Sequence, residues 1–110
     1  MNKIRRKEIY LIIKRLNDLL KKLEEKDIQY FLDNIDSIID EIECILDEEV
    51  DYQENIPENL QSGCRYEESE NASDNLQNAL DELDGLDEDC DIEYIMHNVF
   101  NAINYLNEAT

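Results

Sequence analysis

Acidic side chains recur at helical spacing through the middle of the chain. Seven carboxylates follow one another at steps of three or four residues: Asp33, Asp36, Asp40, Glu43, Asp47, Asp51 and Glu54. Because a helix turns by about 100° per residue, this spacing predicts one stripe of carboxylates recurring about every 5 Å along a helix axis. We call these seven residues the acidic ladder. Such a stripe attracts basic protein surfaces and resembles the phosphates of a nucleic acid.

The other interpretation of the acidic ladder is a solvated helix face, which is the usual role of a run of charges. Like charges at i,i+3 and i,i+4 each oppose helix formation by a few tenths of a kcal/mol, and solubility needs far less charge. The ladder is therefore a candidate partner-binding surface, with the solvated face as the alternative.

Charge is divided unequally along the chain. Residues 1–26 carry a net charge of +5, whereas residues 27–110 carry −24, with Arg65 as their one basic residue. This field repels nucleic acid and anionic membranes, and it attracts proteins built to hold nucleic acid. We expect a basic protein as partner, with no direct nucleic-acid or membrane contact. Five basic residues of the first segment either neutralise the neighbouring acidic helix or contact a partner: Lys14, Arg15, Lys21, Lys22 and Lys26.

The residues that commonly perform catalysis or bind metal form no recognisable motif. Cys44, Cys64 and Cys90 are odd in number and lack C-x-x-C spacing, and His97 is the only histidine. We expect free thiols without a disulfide framework or zinc site. No serine or cysteine stands in a nucleophile motif with His97, so the sequence predicts no enzyme, cofactor or metal.

One acidic run resembles the start of a calcium loop. Asp87, Asp89 and Asp91 match its first three ligands, but Ile92 replaces the turn glycine and Asn98 replaces the bidentate glutamate. An EF-hand is therefore excluded.

Hydrophobic periodicity predicts an all-α fold. Apolar residues recur every three or four positions, and two Gly and one Pro leave few turns. The step of five from Leu23 to Ile28 breaks this register, and Asp27 is placed to cap a new helix. A turn at residues 25–27 is thus expected to join two long helices into a hairpin over residues 4–50. Their predicted buried faces comprise Ile9, Ile13, Leu16, Leu20 and Leu23, widened by Ile12 and Leu19, then Ile28, Leu32, Ile35, Ile39, Ile42 and Leu46, with Phe31, Ile38 and Ile45 beside them.

Two further helices complete the predicted structure. Pro57 ends the second helix, and the stretch from Asn55 to Cys64 is expected to form a loop or short turn. A third helix is predicted from about Arg65 to Asp84, followed by Gly85 as its C-cap glycine, and a fourth from about Asp91 to Asn107. The 110 residues are expected to form a single domain, an antiparallel bundle of about four helices.

The predicted fourth helix is unusual in this acidic chain because it carries no charged residue between Tyr94 and Asn107. This gap predicts a helix that is packed centrally or lies at a subunit interface. Tyr94, Asn98 and Tyr105 form a second stripe on it, and we consider them secondary interface candidates because tyrosines are frequent at interfaces.

The apolar run Tyr10 to Ile13 is too short for a signal peptide or a spanning helix, so a cytoplasmic protein is expected.

The segment from Glu54 to Asp84, with its N-x-P-E-x-L-Q turn before an acidic helix, resembles small acidic helical proteins of Firmicutes and their phages. The resemblance implies a phage or mobile-element setting, and hence the host cytoplasm.

Together, charge and setting predict an inhibitor that mimics nucleic acid and occupies a basic host protein, such as a CRISPR effector, in the manner of anti-CRISPR or anti-restriction proteins. The alternative is a non-enzymatic helical adaptor or structural protein that acts as a homodimer, with its acidity serving solubility.

Overall fold

The structure, a computed structural model, describes all 110 residues and is entirely helical apart from its connections. Helix α1 spans Lys3–Glu24, α2 spans Ile28–Glu54, α3 spans Cys64–Leu83 and α4 spans Ile92–Ala109. Each helix packs against two others, in the order α1, α2, α3, α4 and back to α1. The all-α bundle predicted from the sequence is therefore confirmed.

The first connection follows from the local sequence. Asp27 accepts a hydrogen bond from the Tyr30 amide at 3.1 Å and so caps α2, as predicted. Two backbone hydrogen bonds close the end of α1. The Lys26 amide donates to the Leu23 carbonyl at 2.9 Å, and the Asp27 amide donates to the Lys22 carbonyl at 2.9 Å. This bonding is a Schellman motif, and it places Lys26 in the left-handed region at φ 66°. The reversal at residues 25–27 folds α2 back along α1.

The remaining connections also lie where they were predicted. The α2–α3 loop contains Pro57 and one short 3₁₀ turn, Glu58–Leu60. After α3, Gly85 takes a φ of 75°, which glycine adopts without the steric cost of a side chain. Cross-helix contacts fix the directions of the first pair, since Arg5 meets Glu49 and Arg15 meets Glu41. Residue numbers that rise on one helix as they fall on the other show an antiparallel pair.

A single hydrophobic cluster runs through the bundle and receives side chains from all four helices. On both long helices, the residues predicted to widen the apolar face are buried more deeply than part of its main line. Ile12 and Leu19 are buried where Ile13 and Leu20 are half-buried, and on α2 Phe31, Ile38 and Ile45 are buried where Ile28, Leu32, Ile39 and Leu46 are half-buried. The reason is that α1 and α2 each pack against two neighbouring helices. The side chains that face the bundle axis, between those two neighbours, are therefore the most deeply buried.

The bundle is long and narrow, with extents of 52 × 22 × 18 Å. Most residues therefore lie near the surface, and the outer faces of the helices are continuous stripes. No helix combines the length and apolar composition needed to cross a membrane.

Candidate functional site

The acidic ladder lies on the outer face of α2, and every one of its seven residues is exposed. Helix α2 continues to Glu54, so Asp51 and Glu54 extend the stripe as the sequence predicted for a persistent helix. Over 27 residues, α2 is about 40 Å long. The ladder thus forms an uninterrupted line of carboxylates along most of the molecule.

Helix α3 adds a second line of carboxylates beside the ladder. Glu43, Asp47, Asp51 and Glu54 border a groove between α2 and α3. Across it stand Asp74, Asp81 and Asp84. We call this the α2–α3 groove. The three α3 residues were not among the predicted site residues, although their spacing of seven and three residues repeats the helical period of the ladder.

Apolar and neutral side chains form the base of the α2–α3 groove. Leu46 and Leu80 lie between the two acidic lines, and Val50 continues the floor. The Ser73 hydroxyl lies 3.0 Å from the Glu70 carbonyl of its own helix and 3.3 Å from Gln53 Oε1 of α2, so the two helices are in polar contact near the end of the groove. The carboxylates are therefore mounted on two rigid, packed helices, so their separation is set by the fold.

No carboxylate of the ladder forms an ion pair. The ion pairs of the protein use only three acidic residues, Glu25, Glu41 and Glu49. Within the ladder, Asp33 accepts a hydrogen bond from Gln29 at 2.8 Å, which leaves its charge uncompensated. The α2–α3 groove therefore presents its full negative charge to solvent.

The basic residues of α1 do not neutralise the ladder. Of the five considered in the sequence, only Arg15 forms an ion pair with α2, where it binds Glu41 and donates to Ser37 Oγ at 2.9 Å. Lys22 pairs within its own turn with Glu25 at 3.7 Å and lies over the Tyr30 ring. Lys14, Lys21 and Lys26 form no ion pair. Most of the positive charge of α1 thus forms no ion pair with α2.

The secondary candidates on α4 have unequal exposure. Tyr94 is exposed, Tyr105 is half-buried against the core, and Asn98 is buried. Tyr94 is therefore the most accessible residue of this stripe. Phe100, which the sequence interpretation did not select, is 55% exposed on the same helix. Helix α4 packs mainly against α1 and α3 and keeps one face exposed, so it does not lie at the centre of the bundle.

The sequence pattern did not identify Glu49 as a special residue, because its side chain is buried and not exposed like the other carboxylates of α2. Glu49 is fully buried, and it accepts a hydrogen bond from Arg5 Nε at 2.8 Å. Its other oxygen lies 3.5 Å from the Met1 ammonium, and the Arg5 guanidinium lies 5.6 Å from the centre of the Tyr52 ring. A signal existed in the sequence, since Glu49 follows Ile42 and Ile45 at the spacing of the buried stripe.

The remaining reactive groups are dispersed. Cys44 and Cys64 are exposed free thiols, and Cys90 is a half-buried one. No group of three or more His, Cys, Asp or Glu is arranged to hold a metal ion.

The chain matches no protein-family model, no curated protein and no solved structure. Function must therefore be argued from the surface of the molecule.

Proposed function

We propose that the protein is an inhibitor that mimics a polyanion and occupies the nucleic-acid channel of a basic host protein, as anti-CRISPR and anti-restriction proteins do. The observation that carries this proposal is the α2–α3 groove, where two rigid lines of exposed carboxylates face solvent without a cation between them. The resemblance of residues 54–84 to small phage-associated acidic proteins supports a phage setting.

The charge density of the groove supports mimicry. Seven carboxylates border it within about 17 Å of helix length, or about one charge per 2.4 Å. Duplex DNA carries one charge per about 1.7 Å of axis, and packed helices lie about 10 Å apart. The groove is thus somewhat less charged than a duplex, yet it is far more charged than an ordinary protein surface.

Neutralisation of the groove tests the proposal. A quadruple variant, Glu43→Gln, Asp47→Asn, Asp51→Asn and Glu54→Gln, keeps the side-chain shapes and removes four charges from one line. The matched control, Glu24→Gln, Glu88→Gln, Glu93→Gln and Glu108→Gln, removes four exposed charges elsewhere, so the two variants have equal net charge. The assay is displacement of labelled DNA from a guide-loaded CRISPR effector and from a restriction enzyme.

We expect the native protein and the control to displace DNA similarly and the groove variant to be weaker by at least about tenfold, because each lost contact removes a favourable electrostatic term. Circular dichroism should show both variants folded and at least as stable as the native chain. Equal weakening of the two variants would mean that net charge acts without a defined site. Failure of the native protein to displace DNA from any basic target would contradict the proposal.

The alternative function, a homodimeric adaptor, is favoured by one observation. Between Tyr94 and Asn107, the outer face of α4 carries no Asp, Glu, Lys or Arg and exposes Tyr94 and Phe100, with Tyr10 exposed on neighbouring α1. Two copies could approach there without carboxylate repulsion. However, a helix of 18 residues offers only about 300 Å² of outer face, against about 800 Å² per partner in a stable interface. We therefore rank this function second.

A further inference from the structure

A second groove lies between α1 and α2, on the side of α2 away from α3. Its floor is apolar, because Ile12 and Ile45 close it at the edge of the core. Leu11 and Cys44 stand at its walls and are exposed, Leu11 at 56%. We call this the α1–α2 groove. It differs from the α2–α3 groove in offering a large exposed aliphatic side chain.

The rim of the α1–α2 groove is acidic. Arg15 and Glu41 bridge it and cancel each other, with Arg15 held also by Ser37. Four further carboxylates line the groove against one free cation, Lys14: Glu8, Asp18, Asp40 and Glu48. None of these four forms an ion pair. An apolar floor beneath an acidic rim is complementary to a helix that has one apolar face and basic flanks.

We infer that the α1–α2 groove binds a basic amphipathic helical segment of a partner protein. The lining residues of α1 run from Glu8 to Asp18, which corresponds to about 15 Å, or three helical turns of the bound segment. Apolar anchors at i, i+3, i+4 and i+7 would cover Leu11 and reach the Ile12 and Ile45 floor, while Lys or Arg on its flanks meet the rim.

This inference is independent of the polyanion proposal, because the α1–α2 groove recognises an apolar face together with charge. A nucleic-acid channel offers positive charge to the α2–α3 groove, whereas the α1–α2 groove requires a shaped, partly apolar ligand. One protein partner could present both surfaces, yet each groove can be inactivated separately. Leu11 and Glu48 lie outside the acidic ladder, so their substitution leaves the ladder intact.

Peptide binding tests the inference directly. The probe is a labelled peptide of about 14 residues, built only from Leu and Lys with Leu at helical spacing. Two controls are a peptide of equal composition with Leu and Lys strictly alternating, and a Lys-only peptide of equal length. Fluorescence anisotropy measures affinity. Alkylation of Cys44 measures occupancy of the groove, with Cys64, an exposed thiol outside it, as internal reference.

We expect the helical Leu-Lys peptide to bind at least about tenfold more tightly than either control, and to protect Cys44 but not Cys64. Leu11→Ser should weaken binding by at least about tenfold, whereas Phe100→Ser, at an equally exposed position on α4, should leave it unchanged. Glu8→Gln with Glu48→Gln should weaken binding and reduce its salt dependence. All of these substitutions alter exposed side chains, so circular dichroism should show that each variant keeps the native fold.

Three outcomes would overturn the inference. Equal binding of the alternating peptide would show that charge alone is recognised. Unprotected Cys44 at saturating peptide would place the peptide elsewhere. Cys44 protection that rises with protein concentration in the absence of peptide, and disappears in Leu11→Ser, would identify a second copy of the chain as the occupant.

Discussion

At the residue scale, the unusual group is Glu49, the only carboxylate that the fold removes from water. A buried ion is costly unless a partner compensates it, and here Arg5 and the Met1 ammonium do so. The two partners of the Arg5–Glu49 ion pair are not buried to the same degree. Arg5 lies in the first turn of α1 and keeps a small exposed fraction of 8%, whereas Glu49 on α2 has none. Loss of the arginine should therefore cost more than loss of the glutamate.

A double-mutant cycle measures this asymmetry. Arg5→Met should lower the free energy of unfolding by about 3 kcal/mol, because it leaves most of the burial cost of Glu49 uncompensated. Glu49→Met should cost less, and the double variant should recover most of the loss. Urea unfolding followed by circular dichroism provides the values. Additive losses in the double variant would show that the two side chains do not interact.

At the element scale, the turn between α1 and α2 combines a favourable bonding pattern with an unfavourable residue. The Schellman motif satisfies the last carbonyls of α1, but it requires a left-handed residue at the position of Lys26. A side chain in that region costs about 1–2 kcal/mol, and glycine avoids this cost. The corresponding position after α3 is occupied by Gly85, also at positive φ. The turn after α1 thus contains a backbone strain that the turn after α3 avoids.

Substitution of Lys26 by Gly should raise the free energy of unfolding by about 0.5–1 kcal/mol, since relief of strain exceeds the added entropy of the unfolded chain. Lys21→Gly is the matched control. It removes the same charge from an exposed helical position in the last turn of α1, and it should lower stability by up to about 1 kcal/mol. Thermal melts of both proteins give the comparison. A loss of stability in Lys26→Gly would show that the lysine side chain stabilises the turn.

Some features follow from local sequence and others do not. The turn at residues 25–27 and the loop around Pro57 were predictable because capping and backbone restrictions act over a few residues. The exposure of the ladder followed from the helical period. The burial of Glu49, the second acidic line at Asp74, Asp81 and Asp84, and the apolar α1–α2 groove depend on which helices become neighbours. That information is carried by tertiary packing, which the periodicity of a single helix does not specify.

At the scale of the whole molecule, the net charge of −19 is spread over a narrow bundle, so its carboxylates repel one another across the surface. Only four ion pairs are formed, two of them to the same buried glutamate. The folded state brings these charges closer together than the expanded unfolded chain does. Electrostatic repulsion should therefore reduce its stability at low ionic strength.

Added salt should consequently stabilise the protein. The Debye length falls from about 30 Å at 0.01 M to about 10 Å at 0.1 M, so the melting temperature should rise by several degrees between these NaCl concentrations. The quadruple groove variant, with four carboxylates neutralised, should show a smaller rise. Circular dichroism melts test both statements. A melting temperature that falls with salt would show that attractive pairs outweigh the repulsion.

The placement of the basic α1 beside the acidic α2 would also affect how the molecule approaches the basic partner that we propose for it. Charges of opposite sign on two sides of a cross-section of 22 × 18 Å give the bundle a transverse dipole moment in addition to its net charge. In the field of a basic protein, this dipole experiences a torque that turns the α2–α3 side toward the partner and α1 away from it. The orientation is imposed before contact, so a larger share of encounters should begin with the carboxylates already facing the positive surface.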